Sequence, residues 1–187
     1  MKKLLTIDLA LLSLLMFSGC NEAQHKDASR IPQIMMIRIH NNWAEGQQQS
    51  VTVIDRGGNL RSQSCYKNGY GDPPDEWVDL SKDGWYEKLL EIYENGEPGI
   101  KLSENEAKHI RQNVRNFAAW SGLPVKEYAD HTYDYGAKAL YGVYLDENGM
   151  PCLARLACVG DAMECADSAE ARRFVNETGL LKMRTFD

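Results

Sequence analysis

The sequence predicts an α+β domain: an antiparallel sheet of two hairpins plus an N-terminal strand, with about three helices packed on it. Three observations predict it. Strand-length segments are joined by short turns, Gly57-Gly58-Asn59 and Asp146-Glu147-Asn148-Gly149, and strands joined this way must pair antiparallel. Helical segments come grouped instead of alternating with strands, which argues against a parallel sheet. A hydrophobic fraction of 43%, with four Trp, nine Tyr and four Phe in 187 residues, supplies the core of one domain.

The elements follow in order from residue 31. Along 31–40, Ile31, Met35, Ile37 and Ile39 alternate against Ile34, Met36, Arg38 and His40, predicting a strand with one buried face. Residues 41–49 read as a polar loop, and 51–66 as the first hairpin. The Gly/Pro/Asp-rich run 67–82 is a connection. A helix over 83–94 carries the stripe Trp85, Leu89, Ile92 and Tyr93, and Asn95-Gly96 stops it. Ser103 and Glu106 form a capping box for the next helix, with Ala107, Ile110, Val114, Phe117 and Ala118 as its apolar stripe. The second hairpin runs from Ala137 to Val159. Asp167 with Glu170 caps a last helix, facing Ala171, Phe174, Val175 and Thr178 inward and ending at Gly179. Residues 31–187 are thus expected to form a single globular domain.

The formal charge is −6, with basic residues interspersed among acids. A nucleic-acid surface needs a concentrated Lys/Arg footprint, and anionic lipid needs a polybasic patch, so neither partner is expected. The first twenty residues, MKKLLTIDLALLSLLMFSGC, place Lys2 and Lys3 before an apolar run that is too short to span a bilayer. Their end, Phe17-Ser18-Gly19-Cys20, resembles the lipobox of bacterial lipoprotein precursors. The resemblance implies a signal peptide over 1–19, removed before Cys20, and a diacylglyceryl thioether on Cys20. The expected location is then the bacterial cell envelope, extracytoplasmic and lipid-anchored. Residues 20–30 are polar and without periodicity, and read as the lipidated cysteine and a flexible tether.

Three of the five cysteines fall at Cys152, Cys158 and Cys165. In one extended strand Cys152 and Cys158 share a face about 20 Å apart. A disulfide tolerates a Cα separation of only about 7 Å, and zinc ligands must converge on one ion, so neither is built from this pair. A return at Gly160 to Met163 would set Cys158 opposite Cys165, a candidate disulfide. With it, Cys65 and Cys152 would be left to pair. The competing reading is four unpaired thiols acting as small hydrophobes.

Two polar-aromatic clusters remain. The first joins Tyr66, Tyr70, Asp72, Asp75 and Trp77 in one connection, a candidate contact surface for an envelope protein, peptide or glycan. The second, Asp130-His131-Thr132-Tyr133-Asp134, offers His131 with Asp130 or Asp134 as an acid/base pair for a small envelope hydrolase. No nucleophile elbow, metalloprotease helix or phosphate loop occurs, and no metal or cofactor is expected. The preferred expectation is therefore a non-enzymatic binding domain, with the hydrolase as the alternative.

Overall fold

Both predicted hairpins close through the same turn. Asp55 Oδ1 accepts from Gly57 N and Asn59 N, both at 2.8 Å, and Asp55 N donates to Asn59 O at 3.1 Å. Asp146 Oδ1 accepts from Asn148 N at 2.9 Å and Met150 N at 2.8 Å, and Asp146 N donates to Met150 O at 2.9 Å. Each turn reverses through a glycine at positive φ, Gly58 at 77° and Gly149 at 81°, where a side chain would be strained.

The computed structural model describes residues 31–42, 46–69, 76–130, 136–160 and 162–180; from Pro32 onward they belong to one compact unit. Its strands are β1 (Ile34–Asn42), β2 (Gln47–Asp55), β3 (Leu60–Lys67), β4 (Glu97–Pro98), β5 (Val125–Asp130), β6 (Ala137–Leu145), β7 (Pro151–Val159) and β8 (Ala162–Ala166). The helices among the described residues are α1 (Trp85–Asn95), α2 (Glu104–Ser121) and, after β8, α3 (Ala169–Thr178). The strands form one eight-stranded sheet in the order β4-β3-β2-β1-β6-β7-β8-β5, with every pairing antiparallel. The predicted α+β architecture is the observed one, enlarged by the short strands β4, β5 and β8.

The helices cover opposite faces. Leu89 and Ile92 of α1 pack with Ile34, Ile37, Ile39, Val51, Val53 and Val143. On the other face, α2 and α3 pack over β6, β7 and β8. There the ring of Phe117 lies against Gly142, and Phe174 meets Phe117 edge-on at 5.5 Å and Trp120 at 5.6 Å. β1 is central and covered on both sides, so Ile34, Met35, Met36 and Ile37 are all fully buried. The expectation of one buried face is corrected on this point.

Three local expectations also change. In the polar 41–49 segment, Asn41 and Asn42 end β1 and β2 begins at Gln47, with Gln47 and Gln49 buried. The last helix is capped by Ser168, whose Oγ accepts from Glu170 N and Ala171 N, and not by Asp167. In α2, Trp120 is buried and Ala118 exposed: the stripe continues three residues on from Phe117, at Trp120.

The capping box of α2 forms as predicted: Ser103 N donates to Glu106 Oε2 at 2.7 Å, and Glu106 N to Ser103 Oγ at 3.3 Å. Hydrogen bonds from the Ser103 side chain, then its backbone, hold the Glu106 carboxyl below its ordinary value. This stabilisation is fully present above the unfolded carboxylate pKa and is lost as pH falls through the lowered one. Ser103→Ala is expected to cost about 1 kcal/mol, read as a Tm lower by roughly 2–4 °C at neutral pH. The difference from wild type should shrink in acid; a constant difference would count against the box.

Candidate functional site

A wide cleft on the α1 face starts from one buried glutamine. Gln49, only 3% exposed, lies on the α1 face of β2. A side-chain amide carries one donor and one acceptor side, as a peptide group does, and can therefore pair with a backbone as a strand would. Val78 N donates to Gln49 Oε1 at 2.7 Å, and Gln49 Nε2 donates to Val78 O at 3.2 Å and to Asn41 Oδ1 at 3.2 Å. This clamp fixes the segment before α1 and holds Trp77 beside the sheet. Immediately after it, Asp79 Oδ1 accepts from Ser81 Oγ at 2.6 Å and Ser81 N at 3.0 Å. These bonds hold the exposed Asp79 carboxyl below its usual range, and Lys82 lies 3.7 Å away. Gly84, at φ 80°, then turns the chain into α1, whose Trp85 stands edge-on to Tyr86 at 5.4 Å.

The result is a cleft of about 960 Å³. Ile39, Ala139, Tyr141 and Leu153 make its floor, and Trp77, Leu80 and Trp85 its walls. Asp79, Asp83, Lys82 and Lys88 stand on its rim. Burial pushes the Tyr141 phenol up, so its hydroxyl stays protonated at neutral pH. An apolar, aromatic surface with a few polar groups at its border is the usual composition of a small-molecule site.

A second concavity, about 600 Å³, lies on the opposite face of β1, β2 and β3. Arg38, Thr52, Ser62 and Glu97 share one register row, and His40, Ser50 and Ser64 the next. Arg38 Nη2 donates to Thr52 Oγ1 at 3.3 Å, Thr52 and Ser62 hydroxyls are 2.9 Å apart, and Ser64 Oγ donates to Ser50 Oγ at 3.0 Å. Burial draws the Arg38 guanidinium below its ordinary value. A third hollow of about 220 Å³ lies between α2 and α3. There His109 stacks on Phe174 at 5.4 Å, with Nε2 at 3.4 Å from Glu177 Oε2 but outside hydrogen-bond geometry.

Of the predicted aromatic cluster, the described members Tyr66 and Trp77 lie apart. Trp77 lines the large cleft, whereas Tyr66, 56% exposed, shares a row with Asn42 and Gln48 on the opposite face. Its hydroxyl donates to Asn68 Oδ1 at 2.7 Å. Tyr70, Asp72 and Asp75 lie outside the described residues, as do His131, Asp134 and Cys20. Asp130 ends β5, and its side chain is likewise outside.

The cysteine geometry is corrected. A bulge at Leu156, where Leu140 pairs with Ala157 and Tyr141 with Arg155, turns Cys152 and Cys158 to opposite faces. Cys158 pairs with Glu164 and Cys165 with Ala157, so those two sulfurs also face opposite ways, and no bond joins them. Cys65 on β3 and Cys152 on β7 are four strand spacings apart, about 19 Å, far beyond disulfide reach. All four are free thiols. Burial pushes Cys65 and Cys165 up, the opposite of what a nucleophile requires.

Sequence reasoning missed Trp85 and Tyr141 as site residues, and Gln49 as the clamp behind them. For Gln49 a signal existed, since Gln47, Gln49, Val51 and Val53 continue one alternating face. No group of three or more His, Cys, Asp or Glu set for a metal ion occurs among the described residues.

Fold and clefts together define an α+β domain with an aromatic groove laid across the face of an antiparallel sheet. Comparisons with protein-family models, curated proteins and solved structures return no match to this chain.

Proposed function

We propose that the chain is a lipid-anchored binding domain of the bacterial cell envelope, non-enzymatic, with its ligand site in the Trp77–Trp85–Tyr141 cleft. The observation that carries the binding reading is the cleft's construction. A buried side chain, Gln49, holds the Val78 backbone by two hydrogen bonds, so Trp77 stands fixed at the wall of a volume of about 960 Å³. A fixed aromatic wall lowers the ordering cost of association, the usual benefit of a preformed site. The envelope reading rests on the Lys2-Lys3 start, the apolar run and Cys20, and on nothing in the folded domain.

Two experiments test the two halves. Retention of radiolabelled or fluorescent envelope fragments by the purified protein should fall when Trp77 is replaced by Ala; equal retention by both proteins would remove the cleft from consideration. Cys20→Ser should abolish incorporation of labelled fatty acid and release the protein from the membrane fraction. Wild-type protein that takes up no label would overturn the anchor.

A further inference from the structure

We infer that the cleft takes a neutral oligosaccharide, a conclusion that rests on the binding reading above and narrows it. The floor is the face of β1, β6 and β7, which are interior strands of the sheet. Their backbone donors and acceptors are turned to neighbouring strands, so no open edge is presented to a ligand here. A peptide laid in the cleft would leave its own amides without a ladder, which is costly once water is excluded. The side-chain amides that could answer them, Asn41 and Gln49, are bonded to each other and Gln49 to Val78.

A sugar has no such requirement. Its C–H faces pack on aromatic rings, and its hydroxyls point outward in the ring plane toward a polar rim. Trp77, Trp85 and Tyr141 supply the rings. The rim supplies two carboxylates, Asp79 and Asp83, and two ammonium groups, Lys82 and Lys88. The two signs balance, so the rim selects neither an anionic polymer nor a cationic one, and hydroxyls can accept from lysine and donate to aspartate. The Asp79 carboxylate is held in place by Ser81 and remains ionised. At about 960 Å³ the cleft is at the upper end of small-molecule sites, with room for several sugar units.

The test is calorimetric titration of the full chain in detergent micelles with three neutral tetrasaccharides, chitotetraose, cellotetraose and maltotetraose, beside a pool of uncharged decapeptides. At least one tetrasaccharide should bind, and Trp77→Ala should weaken it roughly tenfold or more. Trp77→Phe keeps a ring and should retain most of the affinity, which separates a lost stacking surface from a misfolded protein. Raising salt to 0.5 M should change the affinity less than about twofold, since the ligand carries no charge. Decapeptide binding without saccharide binding would overturn the sugar and leave the cleft reading standing. Saccharide binding that Trp77→Ala leaves unchanged would place the sugar elsewhere and overturn the inference. Binding of neither probe, with envelope-fragment retention unaffected by Trp77→Ala, would overturn both readings.

Discussion

Phe117→Ala is expected to destabilise the domain by about 3–5 kcal/mol, seen as a Tm lower by roughly 6–20 °C. Phe117 is fully buried at the centre of the α2 contact with the sheet, and Trp120 and Phe174 close around it. Its ring occupies the space that a side chain on Gly142 would fill. A Cβ added at Gly142 would meet the ring atoms Cδ2, Cγ and Cε2 at 2.5, 2.6 and 2.7 Å. Gly142→Ala alone should therefore overpack, at about 1–3 kcal/mol. Combined with Phe117→Leu, which draws atoms back from that space, the loss should be smaller than the sum of the single changes by about 0.5 kcal/mol or more. Strict additivity in that cycle would show that the two residues do not share the space.

Gln49→Leu should have the second largest effect, and a more local one. Leucine keeps the volume but offers nothing to Val78 N and O, both buried with Gln49 as their partner. A buried polar group left unsatisfied costs about 1–3 kcal/mol, so two would cost roughly twice that if the segment stayed in place. The segment can instead lift into water, which caps the loss of stability and transfers the damage to the cleft. Hydrogen exchange at the Val78 amide should accelerate by at least about tenfold, Trp77 emission should shift to the red, and ligand affinity should fall in step. Unchanged exchange at Val78 would show that the clamp does not hold the segment.

The contrast between these residues explains what was legible in the sequence. Phe117 belongs to a stripe of period 3.6 between a capping box and a glycine stop, signals that depend on neighbours within a few residues. Both hairpin turns were readable for the same reason, because Asp55 and Asp146 act on amides two and four residues ahead. Gln49 acts on a residue 29 positions away, and no local pattern encodes that. The faces of the cysteines turned on one extra residue at Leu156, a bulge that strict alternation does not anticipate. The division of Tyr66 from Trp77 came from sheet register, since the two stand close in sequence but on opposite faces. Of the cleft, then, Trp77 could be nominated from composition, while its wall, floor and clamp came from long-range packing.

The position of β1 in the sheet has a consequence for how the molecule is made. Met36 pairs with Ile54 on one side and with Gly142 on the other, a partner roughly a hundred residues downstream. During synthesis the first side is satisfied early, while the second waits until the chain has delivered β6. Closing so long a loop costs entropy before the pairing returns anything, so joining the two halves of the sheet is expected to be the slow event in folding. Until then Ile34, Met35, Met36 and Ile37 form an apolar strand with one bare edge, the kind of surface that recruits other chains. A fragment ending before Ala137 should therefore aggregate, while the chain that reaches Leu145 can cover its own oldest strand.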